Sequence, residues 1–355
     1  MRHTLPILWM VLAVIVGGCS PPRSSTPVAT GSAAADTPHL AQLYEAARQE
    51  GEVVFESAQN SETMQPLIER FTAKYPGIHV SYANRTPGET VERIVAEATT
   101  GRISIDGSSS SIRTVLPLAD RNLMVAPDWK LLAPDLPAEA RLLGDRFAAW
   151  YHLPNVLAYN TSLVRPDDLP KQWEDLLAPR WRGRKMVLDA RGIGLEHLPF
   201  VWGKERAYDF VGRLKAQDPI LVPRSAVSIE RVAAGEAPLG AAVFPNVFEY
   251  QAKGAPIDWV RLPIYEASTF GLYATAGAPH PNAAQLWLAF LLSKEGRQIY
   301  EDTAYYSLMF PGTDSRMERA LREGNVQLWF EDSEAVARQR AEGQKELERL
   351  LGGLR

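Results

Sequence analysis

Between Glu52 and Gly101 two periodicities alternate, and this alternation constrains the fold more than any other feature of the chain. Glu52 to Ser57 (EVVFES) is a short β-rich run. Met64, Leu67, Ile68, Phe71 and Tyr75 then recur at i, i+3, i+4, i+7 and i+11, one apolar helix face that Pro76-Gly77 closes. Ile78, Val80 and Tyr82 alternate as a strand, and Val91, Ile94, Val95 and Ala98 return to helical spacing before Gly101. A helix from His39 to Gln49, stopped by Gly51, precedes the set. Strand, helix, strand, helix in this order predicts an α/β lobe with a largely parallel sheet.

After a less regular stretch rich in Leu, Ala and Pro the pattern resumes. Ala148 to Asn160 reads as extended chain, with Pro154 arguing against a central ladder position at that point. Strand-like runs recur at Lys185 to Asp189, Ile220 to Pro223, Leu239 to Phe244 and Ile257 to Leu262, with helical segments between them, so a second α/β lobe is expected over about 150 to 265. STFGLYATA makes a further strand, Asn282 to Asp302 a long helix, and Asp332 to Leu351 a charged amphipathic helix whose charges read as a solvated face. Two lobes also fit the length, because single cores stop growing near about 250 to 300 residues. With 46% hydrophobic and 23% charged residues and a net charge of −4, the chain has no basic excess and no nucleic-acid partner is expected.

The first residues carry a different message. Met1-Arg2-His3 is a short basic start, Leu5 to Val16 is apolar apart from Pro6, and Gly17 and Gly18 are small, which is the plan of a secretory signal peptide over 1–18. The run falls short of the about 20 residues a spanning helix needs. Cys19 is the only cysteine, so it can form no internal disulfide and no thiolate-rich metal site. Val16-Gly17-Gly18-Cys19 resembles the bacterial lipobox, which implies that Cys19 is lipidated, becomes the new N-terminus and holds the product on a membrane. Residues 19–37, rich in Ser, Pro, Thr and Ala, are expected to be a flexible linker with a reach of about 20 to 25 Å.

In open α/β sheets ligands bind beyond the carboxyl ends of the strands, where helix N-termini point free N–H groups outward. Here those turns hold Ser57, Gln59 and Asn60; Ser108, Ser109 and Arg113; Arg191; Arg224 and Ser225; and Asn246. Hydroxyls, amides and arginines of this kind suit a polar, oxygen-rich solute, with Arg113, Arg191 or Arg224 as charge partners; singly, the same residue types are favoured helix caps. There is no G-x-S-x-G elbow, no H-E-x-x-H and no phosphate loop, and no histidine pair at i, i+4. No catalytic residue, cofactor or metal ligand set is therefore assigned.

LYEAARQEGEVVFESA, FTAKYPGIHVSY, LAYNTSLV (with Tyr159), AAGEAPLGAAV and GAPHPNAAQLWLAFLLSKEGRQIY resemble the bacterial extracellular solute-binding proteins of the ferric-binding type, which serve ABC importers. The resemblance covers roughly 41 to 315. It implies a two-lobed periplasmic-binding-protein type II fold, each lobe a mixed, largely parallel sheet flanked by helices, with hinge strands joining the lobes around a cleft. On this plan 38–148 opens lobe 1, 149–265 is lobe 2, 266–310 returns to lobe 1, and 311–355 adds C-terminal helices. It also implies an extracytoplasmic, membrane-anchored lipoprotein that passes a small-molecule solute to an ABC permease. Iron-binding members place neighbouring tyrosines near the segment that is here Pro245 to Tyr250, where only Tyr250 stands, and many have a histidine where this chain has Gln59 and Asn60. A small polar or anionic solute is therefore expected ahead of ferric ion. Tyr305-Tyr306 lies outside that motif and reads as packing. A membrane-tethered sensor or adaptor built on the same closing fold is the reading from another class.

Overall fold

Thr37 accepts a hydrogen bond from Leu40 N to start α1 (Pro38–Glu50), and Gly51 ends it in the left-handed region. The computed structural model describes residues 37–309, 315–331 and 333–353. The signal segment, Cys19 and the linker up to residue 36 lie outside the described residues. Among the described residues no helix is long and apolar enough to cross a membrane.

β1 (Glu52–Ser57), α2 (Ser61–Lys74), β2 (His79–Asn84) and α3 (Pro87–Thr100) follow where the periodicity puts them, α3 opening on a capping box between Thr86 and Glu89. The next strand runs against residue preference: the apolar Ile103 to Ile105 offers itself as a strand, with the serines in the turn after it, but β3 is Gly107–Ser111, the serine run itself. Serine is a weak strand former, but here small side chains sit between β1 and a long strand on the other flank, and Ser108 Oγ donates to Glu56 O at 2.7 Å. Gly107 has no room for a side chain: a Cβ there would lie 2.9 Å from Tyr273 O.

The remaining elements are α4 (Ile112–Asp120), α5 (Trp129–Leu132), β4 (Arg141–Leu142), β5 (Phe147–Asn160), β6 (Met186–Asp189), α6 (Leu198–Val201), α7 (Lys204–Lys215), β7 (Ile220–Val222), α8 (Ser225–Ala233), β8 (Leu239–Val243), α9 (Phe244–Ala252), β9 (Ile257–Trp259), β10 (Ile264–Ala274), α10 (Pro281–Leu292), α11 (Lys294–Ala304), α12 (Arg316–Glu323), β11 (Gln327–Phe330) and α13 (Glu334–Leu351). Ser293 splits the expected long helix into α10 and α11. Its hydroxyl caps α11 by accepting from Gly296 N at 3.1 Å, and Gly296 lies so close to Phe290 O that a Cβ would clash at 2.2 Å.

The sheet order is β2-β1-β3-β10-β5-β8-β6-β7. Pairing is parallel toward both ends and antiparallel through β3, β10, β5 and β8. The long strands β5 and β10 belong to two apolar cores at once. Ala148 to Tyr151, Leu272 and Ala274 pack with Met64, Phe71 and Trp287, whereas Val156 to Tyr159 and Tyr265 pack with Trp173, Leu214 and Ile229. β5 is thus a central strand despite Pro154. The proline pairs with Ala267 of β10, and it stands between the His152–Ser307 bridge and the start of the β8 ladder at Asn155, where no N–H is called for on the second flank. α13 packs on α4 and α7. Its buried face is not all apolar: Ala337, Leu347 and Leu351 share it with Arg340, contrary to the expected fully solvated charge.

Candidate functional site

The β1–α2 turn, the start of α9 and the end of α11 enclose a cavity of about 400 Å³ lined by Gln59, Asn60, Glu62, Thr63, Pro245, Asn246, Glu249 and Thr303 to Tyr306. The size is that of a small organic solute.

The first wall is held from behind. Ser57 Oγ accepts from Gln59 N at 3.2 Å and shares a 2.7 Å hydrogen bond with Tyr82 OH. Asn84 Nδ2 donates to Gln59 O at 2.6 Å, as does Tyr82 OH, and Gln59 Nε2 donates to Tyr151 OH at 3.2 Å. Asn60 Oδ1 caps α2 by accepting from Thr63 N at 2.8 Å, which turns the Glu62 end of the helix to the cavity. On the second wall, α9 starts at Val243 with no side-chain cap. Asn246 Nδ2 donates to Glu249 Oε2 at 3.2 Å, and Lys253 Nζ reaches Glu249 Oε1 at 2.5 Å. Tyr305 closes α11 in the left-handed region at φ 60°, and the Tyr306 ring packs on Tyr300 and Tyr151. Burial pushes the Tyr151, Tyr300 and Tyr306 hydroxyls above the usual tyrosine range, so they act as neutral phenols.

Of the residues singled out in the sequence, the structure brings Gln59, Asn60 and Asn246 to this cavity, with Ser57 directly behind it. The others take different places. Ser108 and Ser109 are buried inside the sheet. Arg113 donates to Glu196 Oε1 at 3.1 Å and Gln344 Oε1 at 2.9 Å, and pairs with Glu331 at 3.3 Å. Arg191 folds back onto Asp189 through two contacts of 2.9 and 2.7 Å, and Ser225 Oγ donates to the same carboxylate at 3.2 Å. Tyr159 is buried in β5 with its hydroxyl raised by burial and by Asp258. Tyr250 lies one turn beyond the cavity, under Lys253. For two of the three arginines the cause is the same: Glu196, Glu331 and Asp189 are buried carboxylates that must be paired, and they claim Arg113 and Arg191, while Arg224 stands exposed at the start of α8, outside the cavity lining. Reading the sequence missed Glu62, Glu249, Thr303 and Tyr305-Tyr306; the tyrosine pair was visible there, but Tyr306 both packs and lines the cavity.

The carboxylates that hold Arg113 form a closed cluster. Arg340, fully buried, donates to Glu196 Oε2 at 2.7 Å, Glu331 Oε2 at 3.2 Å, Ser268 Oγ at 3.2 Å and Glu266. Burial pushes Glu266 up to about 7 against the opposing pull of Arg340. Nearby His197, buried with neither ring nitrogen bonded, is pushed down to about 3 by burial and by Arg340. Among the described residues no group of three or more His, Cys, Asp or Glu side chains is placed to hold a metal ion.

Residues 57–298 match the family model described as bacterial extracellular solute-binding protein. A Haemophilus influenzae protein of uncharacterized function is 27% identical over 141 residues, covering 37% of this chain and 40% of that relative, so the match spans about two fifths of its length. Among solved structures, iron-bound HitA from Pseudomonas aeruginosa aligns with a TM-score of 0.66 at 20% identity over 85% of this chain and 99% of its own. A GABA receptor aligns with a TM-score of 0.67 at 16% identity over 84% of this chain and 97% of its own. At such identities the structural likenesses speak to the fold, a two-lobed α/β binding-protein architecture.

Proposed function

The chain belongs to the bacterial extracellular solute-binding proteins, and from that premise we propose that it captures a small polar solute in the cavity between Gln59–Thr63 and Pro245–Glu249 and delivers it to the permease of an ABC uptake system, tethered to the membrane through a lipidated Cys19. Membership of the family implies an extracytoplasmic location and a transport-associated binding role, not an enzymatic one. One observation carries the finer reading: the cavity walls come from opposite sides of the shared strands β5 and β10, Gln59 and Asn60 from one core's side and Asn246 and Glu249 from the other's. A solute touching both walls gains contacts when they approach. The closed population then rises by the difference in affinity between the two states, which is what a permease would read.

Ferric ion is the second reading, favoured by the adjacent Tyr305 and Tyr306 at the cavity and by a neighbour, HitA, that binds iron. The GABA receptor has the same fold, so the fold by itself leaves the solute open. The test is a thermal-shift screen of the full-length protein in detergent, first unfolded to release carried solute and refolded. A solute present at 100 times its Kd adds about 2.7 kcal/mol of stability. One chemical class should stabilise the protein and Asn246→Ala should abolish the shift. If the folded protein answers to nothing and deletion leaves solute uptake intact, the transport reading falls. The tether is tested by Cys19→Ser, which should release the protein from membranes.

A further inference from the structure

The charges on the cavity wall have one sign. Glu62 and Glu249 line it, and no Lys, Arg or His is among the described residues that do. Two of the arginines that could have balanced them are held elsewhere, Arg113 on Glu196 and Glu331 and Arg191 on Asp189, and the third, Arg224, stands exposed at the start of α8 and is not among the residues lining the cavity. A solute of net negative charge would enter beside two carboxylates, of which Glu249 is offset by the exposed Lys253 and Glu62 by no cation lining the cavity among the described residues, and such like-charge juxtaposition is costly.

The chain's own cations show what these groups attract. Lys253 Nζ lies 2.5 Å from Glu249 Oε1, an ammonium already seated on the carboxylate. The Arg316 guanidinium stands 5.1 Å from the Tyr305 ring centre, a cation on the face of an aromatic wall. We propose that the solute is a small organic cation whose ammonium group is held by Glu249, with Glu62 and the Tyr305 ring completing the cation-attracting surface. This deepens the solute-binding reading and rests on it.

A bare metal ion fits less well. The cavity, about 400 Å³, is far larger than an ion and its immediate ligands need, and no cluster of three His, Cys, Asp or Glu side chains converges among the described residues.

The experiment is calorimetric titration of the full-length, solute-stripped protein in detergent with putrescine, choline and β-alanine, and in parallel with citrate, phosphate and ferric nitrilotriacetate. At least one ammonium compound should bind; Glu249→Gln should weaken it at least tenfold, Glu62→Gln less, and Lys253→Ala, which removes the internal competitor, should leave it unchanged or tighter. Glu249 is partly exposed, so its variant folds, and an unchanged unfolding temperature without solute checks this. Binding of citrate, phosphate or ferric ion with all three ammonium compounds silent overturns the ammonium proposal and keeps the solute-binding reading. Ammonium binding that survives Glu249→Gln overturns the assigned contact. If no compound binds and deletion of the protein leaves uptake unchanged, both readings fall together.

Discussion

Around Arg340 buried carboxylates are each answered by an arginine, while around Glu249 carboxylates face an open cavity with no arginine among the described residues of its wall. Both regions draw on the same sort of residues. They differ in what surrounds them: the Arg340 cluster is sealed by β10, α13 and the turn that carries Glu196, whereas the cavity is walled by strand-end turns and helix ends that water reaches. A sealed region cannot leave a charge unpaired, so it recruits arginines from distant parts of the chain. An open one can hold a carboxylate with an exposed, exchangeable partner, as Glu249 has in Lys253, because water screens both, and such a charge stays available for a solute.

The largest effect expected from this comparison is on stability. Arg340→Met leaves Glu196, Glu266 and Glu331 buried with Arg113 as their remaining cation, and removing one partner of such a set costs about 3 to 5 kcal/mol. Glu249→Gln should change stability by no more than about 0 to 1 kcal/mol, because its pairing with Lys253 is exposed to solvent. Urea unfolding of the two variants at neutral pH checks the contrast. Equal losses would mean that the cluster is as wet as the cavity.

A smaller effect is the pH dependence of the sealed region, where two signs oppose. His152 and His197 are pushed from an ordinary 6.5 down to about 3 by burial. Their neutral forms support the fold above pH 6.5, and that support is lost as pH falls from 6.5 toward 3. Glu266 runs the other way: raised from 4.5 to about 7, it favours the fold fully below pH 4.5, and this is lost as pH rises through 7. Glu266→Gln removes the second slope. The stability of that variant minus that of the parent should climb between pH 4.5 and 7 by on the order of 2 kcal/mol. A flat difference would place the titrating proton elsewhere in the cluster.

The same contrast explains what could be read in advance. EVVFES, the helical spacing from Met64 to Tyr75 and the later strand runs are local patterns, and they fall where the strands and helices are. Gln59, Asn60 and Asn246 were legible because they follow strands whose carboxyl ends open on the cavity. Arg113 was misread because its pairing depends on a partner the sequence does not bring near, Glu196 at 83 positions' distance, just as Glu266 is 74 from Arg340; Arg191 was misread although its partner Asp189 is only two positions away, because the burial that makes Asp189 demand a cation is not visible in the sequence. The serine strand β3 ran against propensity, since burial between two neighbours decided it. Tyr305 and Tyr306 reach the cavity from the end of a helix, a place that the strand-end rule does not search.

The smallest effect separates two roles of one residue. Asn60 caps α2 through Oδ1 and also lines the cavity, where its Nδ2 amide makes no hydrogen bond among the described residues. Serine at this position keeps an oxygen for Thr63 N but loses the amide; alanine loses both. Asn60→Ala should therefore cost about 1 kcal/mol of stability, within the range for a lost cap, while Asn60→Ser stays within a few tenths of the parent. Solute affinity then decides whether the open region uses what the cap leaves over. If Asn60→Ser binds the solute more weakly with its unfolding midpoint intact, the amide touches the solute, and the cavity differs from the Arg340 cluster in keeping a polar group in reserve. If affinity holds in both variants, Asn60 is a cap alone, and on the first wall the solute is met by Gln59 and Glu62.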